Sequence, residues 1–258
     1  MHSGAGAEPG DGAGTTAPLS GIGDLGPLIA AIEPLNDPDV GLGRDFGSSS
    51  TTMLVVFAAM GPRRPPPFHF FGVTTGMPAK RLFVRDTDRI WYHRGVPGLG
   101  EGIDEVAISL RRIVEEQGAE RVIAIGSSAG GFAALVLGTL IEADLVLSFA
   151  PQTVLDRDWL TRIGDIRWDR RLDSLDRTGG PDRRYTDVRA SILRDRRAKT
   201  VYEVHYPASH EWDVHHAEHM EGVPGLELHA HQEKEHQFVQ GLQRSGELVR
   251  MVRAAIDG

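Results

Sequence analysis

The sequence predicts an α/β fold: a mostly parallel sheet covered by helices on both faces, with a cap region inserted at about residues 151–198. Two observations carry this. Short apolar runs such as "MLVVFAAM" (53–60) and "RVIAIG" (121–126) read as strands buried on both faces. Between such runs stand segments with apolar residues at helical spacing, so strand and helix alternate along the chain. At 258 residues the chain suits one sizeable domain.

Residues 1–27 are Gly, Ala, Thr and Pro with little to bury, and are expected to form a flexible segment ahead of a domain spanning 28–258. Within that segment "GIGDLG" (21–26) matches the dinucleotide fingerprint G-x-G-x-x-G. No strand precedes it and Pro27 follows at once, so the match lacks the strand–helix context the fingerprint requires. "MLVVFAAM" and "RLFV" (81–84) are the first two strands, and "IDEVAISLRRIVEEQG" (103–118) is a helix stopped by Gly118. Then come the strand "RVIAIG", the helix "GFAALVLGTLIEA" (131–143) and the strand "DLVLSFA" (144–150). "TVYEVHY" (200–206) and the weaker "LELHA" (226–230) complete the strands, and a last helix runs from about Glu235 to Ile256.

Composition narrows the function classes. A formal net charge of −8 argues against nucleic-acid binding, which needs a basic face. The chain has no cysteine, which removes disulfides, thiolate metal sites and a cysteine nucleophile. The N-terminus has neither the basic start nor the apolar core of a secretory signal, and no apolar run approaches a membrane span. The expectation is a cytoplasmic protein with no membrane partner and a small-molecule substrate.

Gly126-Ser127-Ser128-Ala129-Gly130 reads G-x-S-x-G, set between a strand and a helix. That is the context of a nucleophile elbow, in which a sharp turn lifts the central serine above the sheet. The positions two before and two after must be tiny because neighbouring backbone passes close. The helix start also aims backbone N–H groups at the space above Ser128. A phosphate cradle would end in G-K-[ST], which is absent.

On these residues the chain resembles the α/β-hydrolase superfamily over about residues 50–256. Within it the chain is similar to small bacterial hydrolase-like proteins associated with glycan or secondary-metabolite pathways. The similar segments are "LFVRDTDRIWYHRG" (82–95), "GSSAGGFAALVLG", "SFAPQT" (148–153) and "EHQFVQGLQRSGEL" (235–248). The resemblance implies a general base and an orienting acid in the chain order Ser, Asp or Glu, His. Eight of the eleven histidines fall between 205 and 236. His236, in a loop opening the terminal helix, matches the family's place for the base, with His231 as the alternative. Asp213, after the strand "TVYEVHY", matches the station of the acid, with Glu211 and Asp156 as alternatives. Asp213 could instead cap a helix beginning at Val214. For the oxyanion the family places one N–H at Ala129 and a second at Ala59, Met60 or Gly61, although "AAMGPRRPPPF" departs from the usual HGGG-like loop.

The insert holds twelve arginines and nine aspartates, the pattern of a solvated helical surface laced with ion pairs. A sharper reading has arginines such as Arg157, Arg162, Arg167 or Arg170 meeting an anionic substrate handle, above a floor of Trp159 and Trp168. The expected activity is that of a serine hydrolase or acyltransferase working on an ester, thioester or amide, with no cofactor and no metal. The alternatives are a non-hydrolytic lyase or cyclisation step on the same fold, or a metal enzyme. The latter would use His215 and His219, four apart on one helix face, with donors from "HAHQEKEH".

Overall fold

The computed structural model describes residues 40–61, 66–197 and 199–258. The expected flexible segment 1–27 and its "GIGDLG" match lie outside the described residues, as does Pro65 of the triple proline. Seven strands form one sheet: β1 (Leu42–Asp45), β2 (Thr52–Phe57), β3 (Lys80–Val84), β4 (Arg121–Ser127), β5 (Leu145–Phe149), β6 (Val201–Pro207) and β7 (Leu226–His231). Their order is β1-β3-β2-β4-β5-β6-β7. Only the β1–β3 pair is antiparallel. The helices are α1 (Phe71–Thr74), α2 (Ile103–Glu116), α3 (Ala129–Leu140), α4 (Arg157–Arg162), α5 (Asp169–Arg177), α6 (Val188–Asp195), α7 (Glu211–Glu218), α8 (Val239–Arg244) and α9 (Glu247–Asp257). None is long and apolar enough to cross a membrane.

The period of two along a strand divides the core. Met53, Val55 and Phe57 of β2 join Leu110 of α2 and Phe132 of α3 on one face. Leu54 and Val56 join Leu248 and Val252 of α9 on the other. Burial on both faces explains why the central strands read as continuous apolar runs. Helix α3 is buried from Ala129 through Thr139, so its sequence is apolar all round rather than striped.

Two elements differ from expectation. The antiparallel edge strand β1, "LGRD", is short, polar and only partly buried, so no apolar run announces it. The single terminal helix is two, because Gly246 adopts a left-handed conformation (φ 74°) between α8 and α9.

The sheet order positions the site. β3 lies on one side of β2 and β4 on the other, so the chain reverses direction across the sheet between them. The loops leaving the carboxyl ends of β2 and β4 diverge there, which opens a crevice above the sheet. Ala59 follows β2 and Ser128 follows β4 at this point.

Candidate active site

Ser128 joins β4 to α3 with φ 55° and ψ −121°, a strained conformation for a residue bearing a side chain. The turn survives because its neighbours lack side chains. A Cβ on Gly126 would stand 2.0 Å from the Gly130 carbonyl oxygen, and one on Gly130 would stand 2.3 Å from that of Phe57. Helix α3 therefore rests directly on β2 and β4. The Ala129 N–H, at the first helical position, is among those a helix leaves without an internal acceptor.

His236 arrives in the loop between β7 and α8, and its Nε2 lies 3.0 Å from Ser128 Oγ. Its Nδ1 lies 2.9 and 2.8 Å from Asp213 Oδ1 and Oδ2. Asp213 is buried in the first turn of α7. That helix begins at Glu211, with His210 at its N-cap, so Asp213 does not cap it and its carboxylate meets His236 and Arg167 instead. Burial pushes the Asp213 carboxyl up; the hydrogen bond with His236 and the Arg167 charge outweigh it and hold it below its ordinary value. Arg167 Nη1 and Nη2 each donate to Asp213 Oδ1 at 3.2 Å. The same guanidinium donates to Asp165 at 2.7 and 2.8 Å. Arg167 thus joins the insert to the acid rather than to a substrate.

Beside Ser128 Oγ stands the buried Gln152, with its Nε2 at 3.1 Å. Trp91 Nε1 donates to Gln152 Oε1 at 3.2 Å, which orients the amide. A donor at this distance favours negative charge developing on Oγ. Trp91 is held in turn by its loop. The Asp86 carboxylate accepts backbone N–H bonds from Asp88, Arg89, Ile90 and Tyr92, and Arg89, Trp91 and Tyr92 all take positive φ. The segment "RDTDRIWYHRG" therefore supplies the tryptophan that orients Gln152 beside the serine.

A cavity of about 690 Å³ opens over Ser128, lined among others by Ala59, Met60, His69, Trp168, Arg171 and His236. Of the expected oxyanion donors, the Ala59 N–H is already engaged, donating to His69 Nδ1 at 2.9 Å. That bond fixes the His69 tautomer, with Nδ1 as acceptor and the proton on Nε2. Burial lowers the His69 pKa, which favours this neutral form.

Trp168 lines the cavity, packing edge-on to Trp91 and His236. Five other candidates, Trp159, Arg157, Arg162, Arg167 and Arg170, do not line it. Trp159 packs instead against His216 and His219, with ring centroids 5.0 and 5.6 Å away. Arg157 is tied to Asp173 and Asp176 on an exposed surface, and Arg162 is exposed at the end of α4. The insert's arginine in the cavity is Arg171, partly buried on α5.

The alternatives for base and acid are occupied elsewhere. His231 Nε2 contacts His205 Nδ1 at 3.1 Å, and Asp156 caps α4 by accepting from the Trp159 N–H. Glu211 is exposed. His215 and His219 turn to Glu218 and Asp187 rather than to each other. Among the described residues, the group of three close metal-type donors is Glu203, His205 and His229, on β6 and β7.

The fold is that of the α/β hydrolases. The chain is similar to the capsule O-acetyltransferase of Neisseria meningitidis serogroup A, at a TM-score of 0.62 and 14% identity, covering 84% of this chain and 90% of that one. It is similar to an α/β hydrolase, MGS-MChE2, from the metagenome of sediments of the Mar Chica lagoon, Morocco (TM-score 0.53, 15% identity, 84% and 95% covered). It also resembles MenH from S. aureus (TM-score 0.51, 14% identity, 82% and 96% covered). No family model and no curated protein sequence matches the chain. These likenesses are likenesses of fold.

Proposed function

We propose that the protein is a serine-dependent acyl-transfer enzyme, a hydrolase or acyltransferase acting on an ester, thioester or amide of a small molecule. The observation that carries this reading is the continuous line from Ser128 Oγ to His236 Nε2 at 3.0 Å and from His236 Nδ1 to Asp213 at 2.8 Å. Ser128 attacks the acyl carbonyl while His236 takes its proton, and Asp213 holds the imidazole tautomer and stabilises the imidazolium. The Ala129 N–H supports the oxyanion, and Gln152 steadies the serine oxygen. His236 then returns the proton to the leaving group. The acyl-enzyme is released to water or to an acceptor hydroxyl when His236 deprotonates that second nucleophile.

Support for a role in glycan chemistry comes from the names of two neighbours. One acetylates a bacterial capsule by its name, and another is a glycosylation-associated protein complex of Streptococcus agalactiae. The test is turnover of p-nitrophenyl acetate, with and without an added sugar acceptor. Ser128→Ala and His236→Ala should each lower kcat by orders of magnitude at unchanged fold. A sugar ester formed at the expense of free acetate assigns the acyltransferase arm. Residual activity above roughly a tenth of wild type in Ser128→Ala overturns the reading.

A further inference from the structure

Next to the Ser128 cavity lies a second depression of about 470 Å³, lined by Arg167, Trp168, Arg170, Arg171, Asp173, Ser174 and Arg177. Trp168 and Arg171 line both, so the depression adjoins the cavity. Four arginines in one place could be another ion-paired surface, and elsewhere in the insert that is what the arginines form. Arg157 pairs with Asp173 and Asp176, Arg184 with Asp104 and Asp182, and Arg194 with Asp195. Arg167 is neutralised by Asp165 and Asp213.

Arg170, Arg171 and Arg177 differ. No carboxylate stands within ion-pair distance of any of them among the described residues, and Arg177 touches only the Ser174 hydroxyl, at 3.1 Å. The one acid in the depression, Asp173, is held by Arg157 at 2.8 Å. Positions 170, 174 and 177 share a face of α5, with 171 beside them, while Leu172 and Leu175 bury the opposite face. Uncompensated guanidinium groups crowded on one helix face repel each other, and this happens on a chain of net charge −8.

We propose that this depression is a phosphate site, and that the substrate of Ser128 carries phosphate on the part left outside the cavity. The proposal rests on the acyl-transfer reading and names its substrate class. A single carboxylate is matched by one arginine fork, whereas a phosphate or diphosphate offers enough acceptor oxygens to meet three. The attraction must be local and short-ranged, because the chain as a whole repels anions. The phosphate can belong to the acyl donor, as in a nucleotide-type thioester, or to the acceptor, as in a sugar phosphate.

Calorimetric binding separates these sources and needs no chemistry at Ser128. The probes are coenzyme A against pantetheine, and glucose 1-phosphate against glucose. One phosphorylated probe should bind clearly more tightly than its phosphate-free counterpart. The affinity should fall roughly tenfold or more in the triple variant Arg170→Ala/Arg171→Ala/Arg177→Ala and remain in Arg162→Ala. Binding should also weaken with added salt. Circular dichroism checks that the triple variant is folded, and single Arg→Gln variants replace it if it is not. Tighter binding of coenzyme A assigns the phosphate to the donor, and of glucose 1-phosphate to the acceptor. Equal affinity for phosphorylated and phosphate-free probes, or undiminished binding in the folded arginine variants, overturns the proposal. A protein that binds the phosphates but whose Ser128 cannot be acylated would instead sink the acyl-transfer reading.

Discussion

Replacing Asp213 by asparagine keeps the shape of the acid and should nevertheless abolish its function, for a reason the hydrogen bonds dictate. Arg167 donates twice to Asp213 Oδ1, at 3.2 Å, so the atom facing Arg167 must be an acceptor. In the asparagine variant that atom is the amide oxygen. The amide nitrogen then falls at the Oδ2 position, 2.8 Å from His236 Nδ1 and 3.1 Å from His210 Nδ1. His236 Nδ1 then faces the amide N–H at 2.8 Å, while the amide oxygen, 2.9 Å away, is shared with Arg167; this favours Nδ1 as an acceptor with the proton on Nε2, where the ring no longer takes the Ser128 proton. The opposite amide orientation would aim two donors at each other. A wrong tautomer of this kind costs about 10⁴ in kcat, or about 5.5 kcal/mol at 1.36 kcal/mol per decade. Steady-state kinetics on p-nitrophenyl acetate reads the rate, and thermal melting confirms the fold. Activity within roughly tenfold of wild type in a folded Asp213→Asn would refute both the role of Asp213 and the orienting role of Arg167.

Three further outcomes follow from the same geometry. Gly130→Ala would put a Cβ 2.3 Å from the Phe57 carbonyl oxygen, and neither backbone can rotate aside. The required shift of nearly an ångström should cost about 1–3 kcal/mol of stability and on the order of 10² in kcat, read by denaturation and kinetics; a silent variant contradicts the packing described. Burial lowers the His93 pKa to about 4. The unfolded chain therefore takes up that proton from about pH 6.5 downward while the folded one resists it until about 4, so stability should fall across that window by up to about 3 kcal/mol. Urea titrations should show the loss and His93→Gln should flatten it, and an unchanged slope would exclude His93 as the cause. His231→Ala should keep most activity while His236→Ala does not, because His231 faces His205 and Phe238; the reverse result would move the base to β7.

The sequence made the strand–turn–helix around Ser128 readable because its requirements all fall on one short run of small residues. The small residues at 126, 130 and 131 answer contacts made within the turn or to the strand below. His236 and Asp213 were readable through chain order rather than local chemistry, which left His231, Glu211 and Asp156 open. The insert was harder. Its charge pattern and the apolar pair Leu172 and Leu175 show which face of α5 is buried, but not that the neighbouring face would carry Arg171 to the cavity and leave Arg157 and Trp159 outside it. Gln152 lies in "SFAPQT" and Trp91 in "LFVRDTDRIWYHRG", but neither segment gives its residue a role, because their contact spans 61 residues; His69 gives no signal of its bond to the Ala59 N–H. The break of the last helix had a visible cause in Ser245-Gly246, outweighed by the apolar periodicity on either side.

Intact-mass spectrometry after exposure to a fluorophosphonate reads the nucleophile itself, which the geometry makes Ser128. One adduct per chain is expected, mapped to Ser128, absent in Ser128→Ala and much slowed in His236→Ala. An adduct that persists in folded Ser128→Ala, one that maps to Ser127, or no adduct on the wild-type protein would contradict it.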